Sequence, residues 1–218
     1  MDARAPELFE FEAGGNAVRV ARRCISNPGR GVTMTDTITA AQIPGYAPGT
    51  YAIDTSHSTV SFSVRHVVAK VRGVIEHIEG TIVLADDPAA STVEATVDPA
   101  TINTRNADRD AHLRSGDFFA TDEHPQWTFR STGARLVGGE YVVDGVIQIR
   151  GVEREISLAL EVGGFGTDPF GNRRVGATAS FVISRDEYGI SFNQTLETGG
   201  LMLGDEVKVE VEISAIQQ

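Results

Sequence analysis

Metal binding or acid–base chemistry in this chain would have to rest on five histidines, His57, His66, His77, His112 and His124, and these are scattered singly. A zinc site draws three or four His, Cys or carboxylate ligands to about 2 Å from one ion, and its usual sequence sign is a short-range pair such as HExxH. No such pair occurs, and the one cysteine, Cys24, has no partner for a ligand set or for an intramolecular disulfide. Asp108, Asp110 and Asp117 could be imagined as an acid and a base. Charges of both signs around a short helix are, however, the usual caps and solvated partners of that helix. A Gly-x-Ser-x-Gly elbow and a phosphate-binding loop are both absent, and Gly163, Gly164 and Gly166 fall between strand-like runs, where glycines serve turns. The expectation is no catalytic centre, no metal and no cofactor. His66 closes an alternating run and is expected to make a structural hydrogen bond at a rim.

The charged residues belong to residues 101–125, TINTRNADRDAHLRSGDFFATDEHP, which interrupt an otherwise alternating chain. Asn106 or Asp108 can cap the N-terminus of a short helix through Leu113, and Gly116 stops it. Leu113, Phe118 and Phe119 are large apolar groups that a charged helix cannot bury alone, so this segment is expected to close one end of a β structure.

That structure is legible as alternation. Val60, Phe62 and Val64 alternate with polar residues, as do Val93, Ala95 and Val97, and Trp127 with Phe129. Between residues 71 and 84 both faces are apolar, which points to a bulge at Gly73 or Gly80. Gly138-Gly139 turns the chain into a row of Tyr141, Val143, Gly145, Ile147 and Ile149. Further rows follow: Ile156, Leu158, Leu160 and Val162; then Val175, Ala177, Ala179, Phe181 and Ile183; then Val207, Val209, Val211, Ile213 and Ala215. About eight strands, mostly joined by short turns, make an all-β, up-and-down antiparallel barrel with a short helical cap. An immunoglobulin-like sandwich is the rival, but runs of ten or more residues suit a tall barrel better.

The inward rows decide what such a barrel can hold. Ala95, Gly145, Ala177 and Ala179 leave volume on the axis that Leu or Phe would fill. The tube walls are then Val60, Phe62 and Val64; Val93, Ala95 and Val97; Trp127 and Phe129; Ile147; Leu158 and Leu160; and Ala177, Ala179 and Phe181, with Phe118 and Phe119 closing the end. Against a cavity, Phe62, Trp127, Phe129 and Phe181 project into the same space and could plug it.

Composition sets the outer bounds. A net charge of −11 argues against a nucleic-acid partner and against docking on an anionic membrane. No run approaches the roughly 20 apolar residues of a spanning helix, and no secretory leader is evident, so a cytoplasmic location is expected. Residues 1–48 mix Gly-Gly and Pro-Gly pairs with short apolar pieces of no period and are expected to be a tail, with Met34 an alternative start. The barrel domain is expected over residues 49–218. A homodimer through a strand edge is compatible with this pattern.

Several stretches carry a resemblance: DTSHSTVSFSVRH at 54–66, KVRGVIEHIEGTI at 70–82, the 102–125 segment, GVIQIRGVEREISL at 145–158, DPFGNRR at 168–174, SRDEYGI at 184–190 and LGDEVKVEVEI at 203–213. In order and from about Tyr51 to Ile216, the chain resembles the YceI-like family of polyisoprenoid-binding proteins. It differs in having Ile75 and Ile78 where the family commonly has Phe, and Glu155 where Pro is frequent. The resemblance implies an extended, lipocalin-like barrel whose apolar pore holds a long-chain isoprenoid or similar amphiphilic lipid, bound, carried or sequestered without catalysis. An enzyme acting on a lipid-like substrate in the same barrel, and a structural barrel with no ligand, are the alternatives.

Overall fold

The computed structural model describes residues 37–197 and 199–218. Its strands are β1 (Gly49–Ile53), β2 (Thr59–His66), β3 (Ala69–Ile75), β4 (Ile78–Leu84), β5 (Thr92–Val97), β6 (Ile102–Asn103), β7 (Trp127–Val137), β8 (Glu140–Ile149), β9 (Val152–Thr167), β10 (Arg173–Ser184) and β11 (Leu203–Gln217), with one α-helix, α1 (Ala107–Arg114). All pairings are antiparallel. β11 pairs with β10 along one side and, on the other, with β2 (Val209↔Phe62) and then β1 (Ala215↔Ile53). β1 and β2 are therefore two halves of one bent strand. β4 beside β1 and β3 beside β2 form the next, and β5 beside β4 and β6 beside β3 the third. Joined in this way, the segments make a closed, eight-stranded antiparallel barrel, not a sandwich. β6 pairs only with Val74 and Ile75 of β3, so the outer side of β3 from Ala69 to Gly73 has no strand partner among the described residues.

The bends are where the chain departs from the sequence expectation. Between β3 and β4 the inward parity switches at Glu76-His77: Val71 and Ile75 line the interior before it, and Ile78 and Ile82 after it. The switch is not at Gly73 or Gly80, both of which stay within paired strand. Thr101 Oγ1 accepts from the His77 N–H at 3.0 Å, and the His77 carbonyl accepts from the Asp98 N–H at 3.1 Å, so the break loses no buried hydrogen bond. Between β1 and β2, the Ser58 hydroxyl accepts from the Ser214 N–H (3.0 Å) and donates to the Ser214 carbonyl (3.2 Å), replacing a backbone rung. Gly163, Gly164 and Gly166 lie inside β9 and not in a turn. The register against β10 jumps from Gly176↔Gly164 to Ala177↔Val162, making Gly163 the extra residue of a bulge.

Residues 37–48, assigned above to the tail, are packed. Ile38, Ile43 and Ala47 are buried, and Ile38 and Ile43 form a cluster with Leu136 that Tyr46, Tyr141, Val162 and Phe165 complete. The Tyr46 hydroxyl donates to the Ala85 carbonyl at 2.7 Å, and the Tyr51 hydroxyl to the Ala47 carbonyl at 2.9 Å. This segment plugs the barrel end that carries the β7–β8 hairpin. No period marks it because it is neither helix nor strand, apart from a short 3-10 turn at Ala40–Gln42. The expectation of a tail for the preceding residues, Met34 included, lies outside the described residues. No described helix is long and apolar enough to cross a membrane.

Candidate ligand cavity

The opposite end is built by the cap. Asn106 caps α1, its side chain accepting from the Arg109 N–H at 2.9 Å, and Ser115 follows the last turn. The charges of the cap hold it together. Buried Asp110 accepts from the Thr104 N–H (2.9 Å) and hydroxyl (2.5 Å), and Arg109 donates to the Thr104 hydroxyl and carbonyl, each at 2.7 Å. Arg114 reaches the Ala100 carbonyl at 2.9 Å. A second segment, unassigned in the sequence reading, completes this end: buried Arg185 donates to the carbonyls of Gly204, Ile190 and Phe192 at 3.0, 2.6 and 2.8 Å, folding the β10–β11 connection over the barrel. Phe118, Ile149, Tyr188 and Ile190 form the resulting cluster.

Between cap and plug lies a cavity of about 570 Å³, within the roughly 300–1,000 Å³ range of small-molecule sites. Every wall residue named from the sequence lines it, from Val60 and Phe62 round to Ala179 and Phe181, as do Phe118 and Phe119. The barrel is closed, yet Phe129, Ile147, Leu160, Ala177, Ala179, Phe181 and the β11 row Val207, Val209 and Val211 remain only partly buried. Side chains inside a closed barrel keep accessible area only if they face a hollow.

Two of the aromatics that could have plugged it, Phe62 and Phe129, lie against the wall. A Cβ on Gly73 would fall 2.6 Å from the Phe62 ring, and one on Gly145 would fall 2.5 Å from the Phe129 ring. Each glycine seats a ring where its own side chain would stand. Gly145 thus adds no free volume, contrary to the reading of the row above. The hollow is left by Ala95, Ala177 and Ala179.

Polar groups gather at one end. His66, Asp108, Arg109, His112 and Arg185 are part of the lining, and Asp108 and His112 are also solvent-exposed, so the cavity opens beside α1. His112 contacts Asp117 at 2.9 Å and stands edge-on to Phe118 and Phe192, with ring centroids 5.1 and 4.9 Å away. His66 makes no side-chain hydrogen bond among the described residues; its ring borders the opening instead. Sequence reasoning missed these five, together with Val71, Ile75, Ile78, Leu113, Phe192 and Met202. The alternation of Tyr188, Ile190 and Phe192 was the available signal for the connection.

One serine, histidine and aspartate do meet outside the cavity. Asp54 Oδ1 accepts from the Ser56 hydroxyl at 2.6 Å, while His57 Nδ1 lies 3.0 Å from that hydroxyl and 2.8 Å from Asp54 Oδ2. Both contacts of the imidazole use one nitrogen, so it cannot take a proton from the serine while its other nitrogen is held by the aspartate. The group caps the 3-10 turn of the β1–β2 bend. Arg174 ties that bend to the β9–β10 turn, donating to Asp54 at 2.7 Å and Asp168 at 2.9 Å. Asp54 is held well below the usual carboxylate range, first by the Ser56 hydroxyl and then by Arg174. Asp168 is held equally low, first by Arg174 and then by Asn172. Among the described residues, no three His, Cys, Asp or Glu side chains converge as a metal set.

The pattern of the YceI-like domain matches residues 51–215, three-quarters of the chain and nearly all of the barrel. The chain belongs to the YceI-like family. It is 39% identical over 166 residues to UPF0312 protein SA2479 of Staphylococcus aureus (strain N315), covering 73% of this chain and 93% of that protein. The fold is shared with BcnA of Burkholderia cenocepacia (TM-score 0.65, 18% identity, covering 74% of this chain and 98% of that one). It is shared also with a polyisoprenoid-binding domain from Saccharophagus degradans implicated in plant cell wall breakdown (TM-score 0.59, 16% identity, 77% and 98% covered). Within this YceI-like chain, the stretches that carry the family resemblance outside the pore, DTSHS and DPFGNRR, are the Arg174 clamp, a structural device.

Proposed function

We propose that this YceI-like barrel binds a long-chain isoprenoid or similar amphiphilic lipid in its pore and carries or sequesters it without converting it. The observation behind this reading is the partial burial of inward-facing rows in a closed barrel, with the lining polar only at the opening. An apolar chain fits such a tube with its head among His66, Arg109, His112 and Arg185. Each buried CH₂ contributes about 0.8 kcal/mol, so a five-carbon isoprene unit contributes about 4 kcal/mol before the costs of association. Among the described residues no serine or cysteine lines the cavity, and the lining groups with acid–base chemistry sit at its mouth, away from where most of the chain would lie. The Saccharophagus degradans domain, named as polyisoprenoid-binding, supports the choice of ligand class.

Organic extraction of the protein purified from its native host, followed by mass spectrometry, tests the reading directly: a stoichiometric prenyl lipid is expected. In parallel, Ala177→Trp and Ala179→Phe place bulk in the hollow. Loss of binding of a fluorescent isoprenoid with an unaltered melting temperature supports the tube, because filling a cavity causes no overpacking. A sharp loss of stability would mean that the interior is already full.

A further inference from the structure

The β2–β3 hairpin turns at the rim of the cavity on two valines, Val67 and Val68, and Val68 is 98% exposed. Two-residue hairpin loops ordinarily use Asn, Asp or Gly, because they need left-handed backbone. Val67 takes φ 53° all the same, a conformation that a β-branched residue adopts only under strain. Its N–H donates to the Met202 carbonyl at 2.7 Å, and His66 pairs with Leu203, so the exposed Leu201 stands beside the tip. Below the tip, Arg65 of β2 lies directly opposite Lys70 of β3, and Arg72 follows on the same outer face. Like charges directly opposite cost stability. Residues 65–72, RHVVAKVR, hold three Arg or Lys and no carboxylate in a chain of net charge −11. Asp205 and Glu206 of the neighbouring β11 are both engaged already, Asp205 by the Ser184 hydroxyl. Cations on the open outer side of β3 also discourage edge-to-edge pairing, and Arg65 braces the turn through the Val67 carbonyl at 3.2 Å. These roles account for the charges but not for the two valines.

We infer that this hairpin is a membrane anchor: Val67, Val68 and Leu201 enter an anionic bilayer, and Arg65, Lys70 and Arg72 meet its lipid phosphates. The charge of the whole chain opposes such docking, but salt confines each charge's reach to about 8 Å at physiological ionic strength, so the cations at the contact decide it. In a bilayer the acyl chains lie beneath the phosphates, the same order, from tip to base, in which the hairpin carries valines and cations. An acidic peptide would answer the cations and leave the valines in water, and a second copy on the same edge would set cation against cation. The position fits as well. His66 and Val71 line the cavity while Val67, Val68, Lys70 and Arg72 do not, so docking brings the mouth to the membrane without filling the tube. The anchor adds to the tube reading a surface from which an amphiphile is loaded, and it requires vesicle binding whether or not the tube is occupied.

Flotation of the full chain with vesicles of phosphatidylcholine, with and without phosphatidylglycerol, tests the anchor. The wild type is expected to float with the mixed vesicles and to be released as salt rises. Lys70→Gln with Arg72→Gln is expected to weaken that binding about twentyfold, since each cation near the surface contributes about fivefold. Val67→Asn with Val68→Gly supplies the residues such a turn prefers, so folding is preserved; a loss of about tenfold is expected, the effect of burying one valine. Isoprenoid affinity measured without vesicles is expected to stay unchanged in both variants, because none of these side chains lines the tube. Wild-type vesicle binding that is absent, indifferent to phosphatidylglycerol, or unchanged in the Val67→Asn, Val68→Gly variant would overturn the anchor and leave the tube standing. A wild-type dimer that ignores vesicles and that this variant converts to a monomer would likewise overturn it, the tip then being a contact between copies. A wild type that floats as expected but binds no isoprenoid would instead remove the tube reading and keep the anchor.

Discussion

Replacing Ile43 by alanine separates the two ends of the barrel, because its side chain belongs to the plug and lines no part of the cavity. Ile43 is 8% exposed and Ile38 is 4% exposed, packed together on Leu136 within a ring of Tyr46, Ala134, Tyr141, Val162 and Phe165. Truncating a buried isoleucine costs about 2–5 kcal/mol, depending on how far the surroundings collapse into the gap. The plug rests on the barrel from outside its hydrogen-bonded frame and can relax, so the lower part of that range, about 2–3 kcal/mol, is expected. For a domain of this size each kcal/mol moves the midpoint by about 2–4 °C, which makes the expected drop about 4–12 °C. Urea titration at fixed pH gives the free energy, and a thermal scan gives the midpoint. Affinity for a fluorescent isoprenoid should stay at the wild-type value. A loss below about 0.5 kcal/mol, the size of an ordinary surface substitution, would refute the docking of residues 37–48. A clear fall in affinity would instead make the plug the floor of the tube.

Gly145→Ala drives a Cβ to 2.5 Å from the Phe129 ring and 2.7 Å from the Arg130 carbonyl oxygen; a loss of about 1–3 kcal/mol is expected, and Phe129→Leu in the same chain should recover only the part due to the ring, as a double-mutant cycle would measure. Asp110→Ala leaves the buried Thr104 N–H without its acceptor and should cost about 1–3 kcal/mol, with faster proteolysis of the cap than of the strands. The Arg174 clamp gives a signed pH dependence. Asp54 and Asp168 have depressed folded values, so their contribution is present above the unfolded aspartate value of about 3.9 and is lost as pH falls through the folded values. The stability difference between wild type and Arg174→Met should therefore be greatest at neutral pH and shrink progressively below about pH 4. A difference independent of pH would count against the clamp.

The walls of the tube were legible in the sequence because a strand's side-chain period is two and a closed barrel has one inside. Once the rows beginning at Val60, Val93, Trp127 and Ala177 are read as strands, the curvature of the sheet fixes which side faces the axis. The cap was legible for a related reason: Phe118 and Phe119 adjoin a charged helix that cannot bury them. The parity switch at Glu76-His77 was not legible. A local reading assigns it to the nearest glycine, but what permits the break is Thr101 and Asp98, more than twenty residues away, taking over the hydrogen bonds of His77.

The same distinction explains why small residues on two of the inward rows have opposite effects. Gly145 and Ala177 both look like space in the sequence, since each withholds a side chain from the axis. Whether that space survives depends on a neighbour one strand away. Gly145 pairs with Ser131, beside Phe129, whose ring lies over the bare backbone. Ala177 pairs with Val162 and Ile213, and the half-buried Ala177 Cβ remains on the cavity wall. Glycine on the wall therefore anchors the aromatics flat, and alanine on the wall makes the bore. The width of the pore is thus set by a correspondence between strands that the chain order does not display. The consequence follows from the pair: substitution at Ala177 or Ala179 acts on the bore directly, whereas substitution at Gly73 or Gly145 acts first on the ring seated there and reaches the bore only by pushing that ring into it.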